Sequence, residues 1–216
     1  MKKFNFFSIS IIILIVTALL SGIGLRYYLQ HKKEVTKVNG IIFPLPRNLH
    51  DFTLINQEGK SFTNVNLKNQ WSLLFFGFTH CPVICPTTLS ILNQAYSKLK
   101  NDHFIPLPQV LFISVDPQRD SPQLVSQYAQ GFNPEFIGLM GDEKDLTQLT
   151  HDMNAVFMKM KINGSSNSGG NTYTIDHSTS IGLIDPKGKL RAILSNPDNG
   201  DQFAHDYEEI IKQLRE

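Results

Sequence analysis

Residues 71–78, WSLLFFGF, limit what this chain can fold into more than any other stretch. A nearly unbroken apolar run of strand length suits a strand buried on both faces, with other layers covering it. The run leads directly into THCPVICPTTL, which carries Cys81 and Cys85, the only 2 cysteines among 216 residues. Pro86 then opens a helical pattern, with Leu89, Leu92, Tyr96 and Leu99 on one face. Proline is accepted in a first helical turn because its missing N–H would have no partner there.

A strand that passes through two cysteines into a helix has three chemical readings: a structural disulfide, a thiol–disulfide redox pair, or a metal site whose other ligands lie elsewhere. A helix N-terminus presents unpaired N–H groups and partial positive charge, and both favour thiolate, the form that attacks disulfides and binds metals. The spacing is Cys-x-x-x-Cys, one residue wider than the Cys-x-x-Cys of many redox pairs. The wider loop leaves room for two sulfurs to grip a metal, with a third ligand supplied from another part of the chain.

The chain suits one ordinary domain with an N-terminal appendage. Its net charge of +1 comes with no basic patch of interleaved aromatics, so nucleic acid is excluded as a partner. Residues 6–25, FFSISIIILIVTALLSGIGL, carry no charge. At ~1.5 Å per residue they reach about 30 Å, the thickness of a hydrocarbon core. No A-x-A cleavage site follows, so the run is expected to be an uncleaved anchor. Lys2 and Lys3 precede it while Arg26, Lys32, Lys33 and Lys37 follow, so charge alone does not fix orientation. The simplest topology is a short cytoplasmic tail at residues 1–5, an anchor at 6–25, a tether at 26–46 and a domain at 47–216. That places the chain in a bacterial inner membrane with its domain in the periplasm.

Within the domain, DFTLINQEGKSFT reads as a hairpin turning at Gly59, and residues 110–115 read as a second buried strand. Ser121 and Pro122 mark a helix start, and Asp142 another. Leu146, Leu149, Met153 and Val156 place that second helix through FMKMK, so Met158 and Met160 read as part of a core-facing helix rather than as a methionine copper site. STSIGLI and KLRAIL read as a hairpin around Pro186, Lys187 and Gly188, and Phe203, Tyr207, Ile210, Ile211 and Leu214 as the buried face of a last helix. The order is β-β-β-α-β-α-α-β-β-α, an α/β domain with a mixed sheet.

Of the 7 histidines, His31 falls in the tether, His103 and His205 sit among polar residues, and His151 lies on a helix that already has an apolar face. His80 directly precedes Cys81, so on extended chain its side chain is expected to point away from the cysteine's. His177 differs: it follows the glycine- and serine-rich residues 163–171 and precedes a buried-looking strand. A ligand at such a junction can swing in to close a site. Asp116, Arg119 and Asp120 follow the second strand and read as a turn with a helix-capping ion pair, Asp116 being the candidate to orient a ligand from behind it.

Four blocks, FGFTHCPVICPTTL, FISVDPQRDSP, YAQGFNPEFIGLMGD and YTIDHSTSIGLIDPKGKL, resemble in order and separation the Sco/SenC copper proteins of cytochrome oxidase assembly. The resemblance implies a thioredoxin-like fold with an inserted hairpin. It implies one copper ion held by Cys81, Cys85 and His177, with the cysteine pair able to form a disulfide. It also implies a membrane-anchored chaperone that serves the oxidase's binuclear copper centre, with a periplasmic copper donor or thiol reductant as a further partner. The alternative is a thiol–disulfide oxidoreductase that keeps the oxidase's copper-site cysteines reduced. Val83 departs from the family, which commonly has an acidic residue there. Two thiolates and an imidazole form a soft set suited to Cu(I), whereas zinc would take a fourth ligand that the sequence does not offer.

Overall fold

The computed structural model describes residues 6–30, 38–155, 157–161, 173–177, 180–195 and 197–215; within them, the side chains of residues 6–13, 27–30, 159–161, 174, 176 and 177 lie outside the description. The chain divides into two units, residues 1–37 and 38–216. The first contains helix α1, Phe6–Gln30. Among the described residues no helix is long and apolar enough to cross a membrane. The described side chains of α1 run only from residue 14 to residue 26, shorter than the ~20 apolar residues a span needs. The expected anchor over residues 6–25 is therefore unsupported at this level.

The second unit contains strands β1 (Gly40–Asn48), β2 (Thr53–Ile55), β3 (Ser61–Thr63) and β4 (Ser72–Gly77), then helix α2 (Ile84–Asn101) and β5 (Gln109–Ser114). Helix α3 (Pro122–Phe132), β6 (Ile137–Gly141), helix α4 (Glu143–Asp152) and the pair β7 (Phe157–Lys161) and β8 (Tyr173–His177) follow. The domain closes with β9 (Ile181–Ile184), β10 (Lys189–Leu194) and helix α5 (Gly200–Arg215). Eight strands form one mixed sheet in the order β1-β10-β9-β4-β5-β6-β2-β3, while β7 and β8 form a separate hairpin. Helices α2 and α5 pack on each other, and α3 packs on β5 and β6. A mixed sheet flanked by helices, with a hairpin outside it, agrees with the thioredoxin-like expectation.

The apolar run at residues 71–78 takes the centre of this sheet. All six residues of β4 are buried, with β5 parallel on one side and β9 antiparallel on the other. Ser121 caps α3 by accepting the Leu124 N–H at 3.2 Å, and Asp142 caps α4 by accepting the Asp145 N–H at 2.8 Å, as the sequence indicates. The β9–β10 turn is also as expected: the Asp185 side chain accepts the N–H groups of Lys187 and Lys189, and Gly188 takes a φ of 76°, open to glycine at no steric cost.

Three expectations are corrected. The helix through Val156 ends at Asp152, and FMKMK is strand β7, paired with β8 from Phe157 opposite His177 to Lys161 opposite Tyr173. Met153 stays in the core, but Met158 is 63% exposed, so it is not core-facing. The five-residue β6, IGLMG, lies between two helices and is absent from the sequence reading. The tether is also shorter than residues 26–46. Gly40, Ile41 and Ile42 pair with Leu194, Ile193 and Ala192, and Phe43 is buried. Pro44 and Pro46 fall where the ladder shifts register between Ile42 and Arg47, on an edge strand, so their missing N–H groups cost no ladder bond. The Asn39 N–H donates to the Asp206 carboxylate of α5 at 3.2 Å, tying the start of the domain to its last helix.

A chain of residues 38–216 is therefore expected to be more stable than one of residues 47–216. The shorter form loses the buried Phe43, worth about 2 kcal/mol, and exposes the β10 edge. Equal denaturation midpoints for the two would contradict the placement of β1.

Candidate functional site

The carboxyl ends of the parallel strands β4 and β5 lie side by side, and the Val115 N–H donates to the Gly77 carbonyl at 2.8 Å where both strands end. The loop from β4 carries Cys81 into α2, and the loop from β5 carries Asp116, Arg119 and Asp120 into α3. Neither cysteine is in a disulfide, both are buried, and the Cys85 N–H donates to Cys81 Sγ at 3.4 Å. The two cysteines, four positions apart in sequence, are thus brought together in space.

Gly77 makes room for this. A Cβ at residue 77 would lie 2.8 Å from Cys85 Sγ and 2.6 Å from Phe112 Cε2. Any larger residue displaces the sulfur from its seat against the strand. Phe78 frames the same pocket: its carbonyl accepts the Cys81 N–H at 3.2 Å.

Burial pushes the Cys85 thiol above its ordinary pKa, with Cys81 and Asp120 adding to the effect and a backbone hydrogen bond at Phe78 opposing it. The sequence expectation is a helix N-terminus favouring thiolate, but the shift at Cys85 is upward, and its largest cause is desolvation of the buried sulfur. Helix α2 has no side-chain N-cap, and Val83 at that position is exposed.

Asp120 ties the two loops together. Its side chain is fully buried and accepts the Thr79 N–H at 3.1 Å, the Thr79 hydroxyl at 2.5 Å and the Ser114 hydroxyl at 2.5 Å. His80 lies beside it, Nδ1 at 3.5 Å from the carboxylate. Asp116 is equally buried and pairs with Arg119, so the expected ion pair is present. It does not cap α3, since Ser121 does that. Two donors in this neighbourhood, Arg119 Nη2 and the Tyr128 hydroxyl, are buried without an acceptor among the described residues.

The family model described as SCO1/SenC matches residues 46–212. This chain belongs to the SCO1/SenC family. Among SCO1/SenC relatives, the SCO2-like protein of Rickettsia felis is 37% identical over 181 residues, covering 82% of this chain and 85% of its own. Among solved structures, Arabidopsis thaliana ScoI with copper bound is 33% identical, with a TM-score of 0.68, over 76% of this chain and 98% of that one. Yeast Sco1 with copper bound is 29% identical, with a TM-score of 0.67, over 77% of this chain and 90% of that one.

The expected SCO1/SenC ligands are placed unequally. Cys81 and Cys85 share one buried pocket. The backbone of His177 is the last residue of β8, opposite Phe157, and its side chain lies outside the described residues. Among the described residues no group of three or more His, Cys, Asp or Glu side chains is arranged to hold a metal ion. Of the other described histidines, His80 borders the site beside Asp120, His50 bonds Asp152 through Nδ1 at 2.6 Å, and His103, His151 and His205 are exposed. Gly77 is a site residue that the sequence reading does not single out, and Asp120 reads there only as part of a turn; the one signal available is that both fall at the carboxyl ends of the two buried runs.

Gly77→Ala is expected to destabilise the domain by about 1–3 kcal/mol through overpacking and to raise the alkylation rate of Cys85 by displacing it from the strand. Denaturant titration and thiol-labelling kinetics check both. A variant that matches the parent in both would show that the sulfur does not depend on this seat.

Proposed function

We propose that this chain is a membrane-anchored copper chaperone. It binds one copper ion through Cys81, Cys85 and His177 and passes it to the binuclear copper centre of cytochrome c oxidase. The observation that carries the reading is the pair of thiols held side by side at the sheet's carboxyl edge, where ligands bind in open α/β sheets. Membership of the SCO1/SenC family and the copper bound in the Arabidopsis and yeast structures support copper as the cargo. A fully buried, desolvated thiol beside a second thiol is a soft, poorly hydrated donor set, which suits Cu(I) better than a hard cation.

His177 completes the set from a different element. Cys81 lies on the loop after β4 and Cys85 in the first turn of α2, while position 177 ends a hairpin with no ladder to the main sheet among the described residues. A ligand on a separate element can leave without unfolding the other two, and a chaperone must release its metal. In this reading residues 6–25, within the helix α1, anchor the chain in the bacterial inner membrane, with the domain on the periplasmic side. A periplasmic copper donor or thiol reductant loads or resets the site. The pair Cys81 and Cys85 cycles between dithiol and disulfide, and only the dithiol holds copper.

The same two thiols also suit a thiol–disulfide reductase acting on the oxidase's copper-site cysteines, and His177 separates the two readings. The His177→Ala variant is expected to keep its fold and its disulfide-reducing capacity while losing most of its Cu(I) affinity. Competition titration against a copper chelator, run beside a disulfide-reduction assay, gives the answer. Copper affinity within about twofold of the parent, a difference below ~0.5 kcal/mol, would reject the three-ligand chaperone in favour of the reductase.

A further inference from the structure

We infer that Arg119 and Tyr173 form a clamp that sets the position of the histidine-bearing strand relative to the two thiols; the inference rests on the copper-site reading above. The hairpin β7–β8 needs such a device because it shares no ladder with the eight-stranded sheet. Its packing comes from Ile175, 4% exposed, and from the partly buried Phe157 and Tyr173. Apolar packing is not directional and leaves a small hairpin free to slide. Hydrogen bonds fix direction and register, and here they converge on Tyr173.

The Arg119 Nη1 group donates to the Tyr173 backbone carbonyl at 2.9 Å. The Arg119 guanidinium also lies over the Tyr173 ring, 3.9 Å from its centroid. The Tyr173 hydroxyl donates to Asp116 Oδ1 at 2.5 Å, and the same carboxylate accepts Arg119 Nε. The three residues therefore close a ring of contacts, Asp116 to Arg119 to Tyr173 and back. The guanidinium also lies 5.6 Å from the centroid of the Phe78 ring, and the Phe78 backbone bonds to both cysteines. One planar cation thus touches the residue that seats the sulfurs and the strand that ends at His177.

The lever is short. Tyr173 and His177 are the two ends of β8, roughly 13 Å apart at the rise of an extended strand, with the buried Ile175 midway. Fixing one end by two hydrogen bonds and a stacked cation, and the middle by burial, restricts where the other end can go. Groups behind a metal ligand raise affinity by this kind of orientation, and their loss typically lowers metal affinity about 10–100-fold. Neither Arg119 nor Tyr173 needs to touch copper; both are positioning residues.

Two single variants test the clamp in the reduced full chain. Tyr173→Phe keeps the ring and removes only the hydroxyl to Asp116. Arg119→Lys keeps the charge but loses the planar stack and the bond to the Tyr173 carbonyl. Each is expected to lower Cu(I) affinity about 10–100-fold and to speed amide exchange in residues 157–161 and 173–177 of the metal-free protein, with β4 and β5 exchanging as in the parent. The thiolate-to-Cu(II) charge-transfer band is expected to move toward that of His177→Ala, which loss of stability alone does not produce. Parental affinity, spectrum and hairpin exchange in Tyr173→Phe, while His177→Ala loses copper, would overturn the clamp and leave the copper site standing. If His177→Ala itself binds copper like the parent, the ligand reading fails, and hairpin exchange alone then decides the clamp: faster exchange supports it and unchanged exchange overturns it. Should Arg119→Lys not fold, Tyr173→Phe carries the test.

Discussion

The buried carboxylate of Asp120 is the contact on which the site depends. Two parallel strands deliver two loops to one edge of the sheet, and parallel strands on their own leave such loops independent. Asp120, on the β5 loop, accepts a backbone N–H and a hydroxyl from Thr79 on the β4 loop, and a hydroxyl from Ser114 at the end of β5. A carboxylate taken out of water is stable only when its oxygens are filled by donors. The need to satisfy Asp120 therefore fixes Thr79, two residues before Cys81, and with it the course of the cysteine loop into α2.

The rest of the site follows from that fixed loop. Phe78 and Gly77 define the pocket wall, Cys85 is seated against Gly77, and Cys81 accepts the Cys85 N–H. Burial then pushes the Cys85 thiol above its ordinary pKa. The largest cause is desolvation of the buried sulfur, with Cys81 and Asp120 adding to it.

Sequence legibility tracked how local each interaction is. The central strand, the cysteine pair, the Ser121 and Asp142 caps and the turn at Gly188 depend on residues within a few positions of one another, and all were readable. Strand β1 was not: Pro44 and Pro46 signal extended chain, and nothing nearby states that residues 40–42 pair with β10, some 150 residues on. FMKMK failed for a related reason. Its apolar spacing continues that of α4, and its strand partner YTIDH lies beyond residues 162–172. Asp116 was marked for a supporting role, but its partner Tyr173 is 57 residues away in sequence, so only the fold reveals the contact. Asp120 reads as part of a turn with a helix-capping ion pair, and nothing in the run DPQRD signals its burial.

The central claim is that Cys81, Cys85 and His177 jointly hold one copper ion. X-ray absorption at the copper edge of the reduced, copper-loaded chain tests it most directly, because it reports the atoms bound to the metal rather than the consequences of losing them. The account predicts one copper per chain with two sulfur scatterers and one imidazole nitrogen. A shell of sulfur alone, or of nitrogen and oxygen without sulfur, would contradict it.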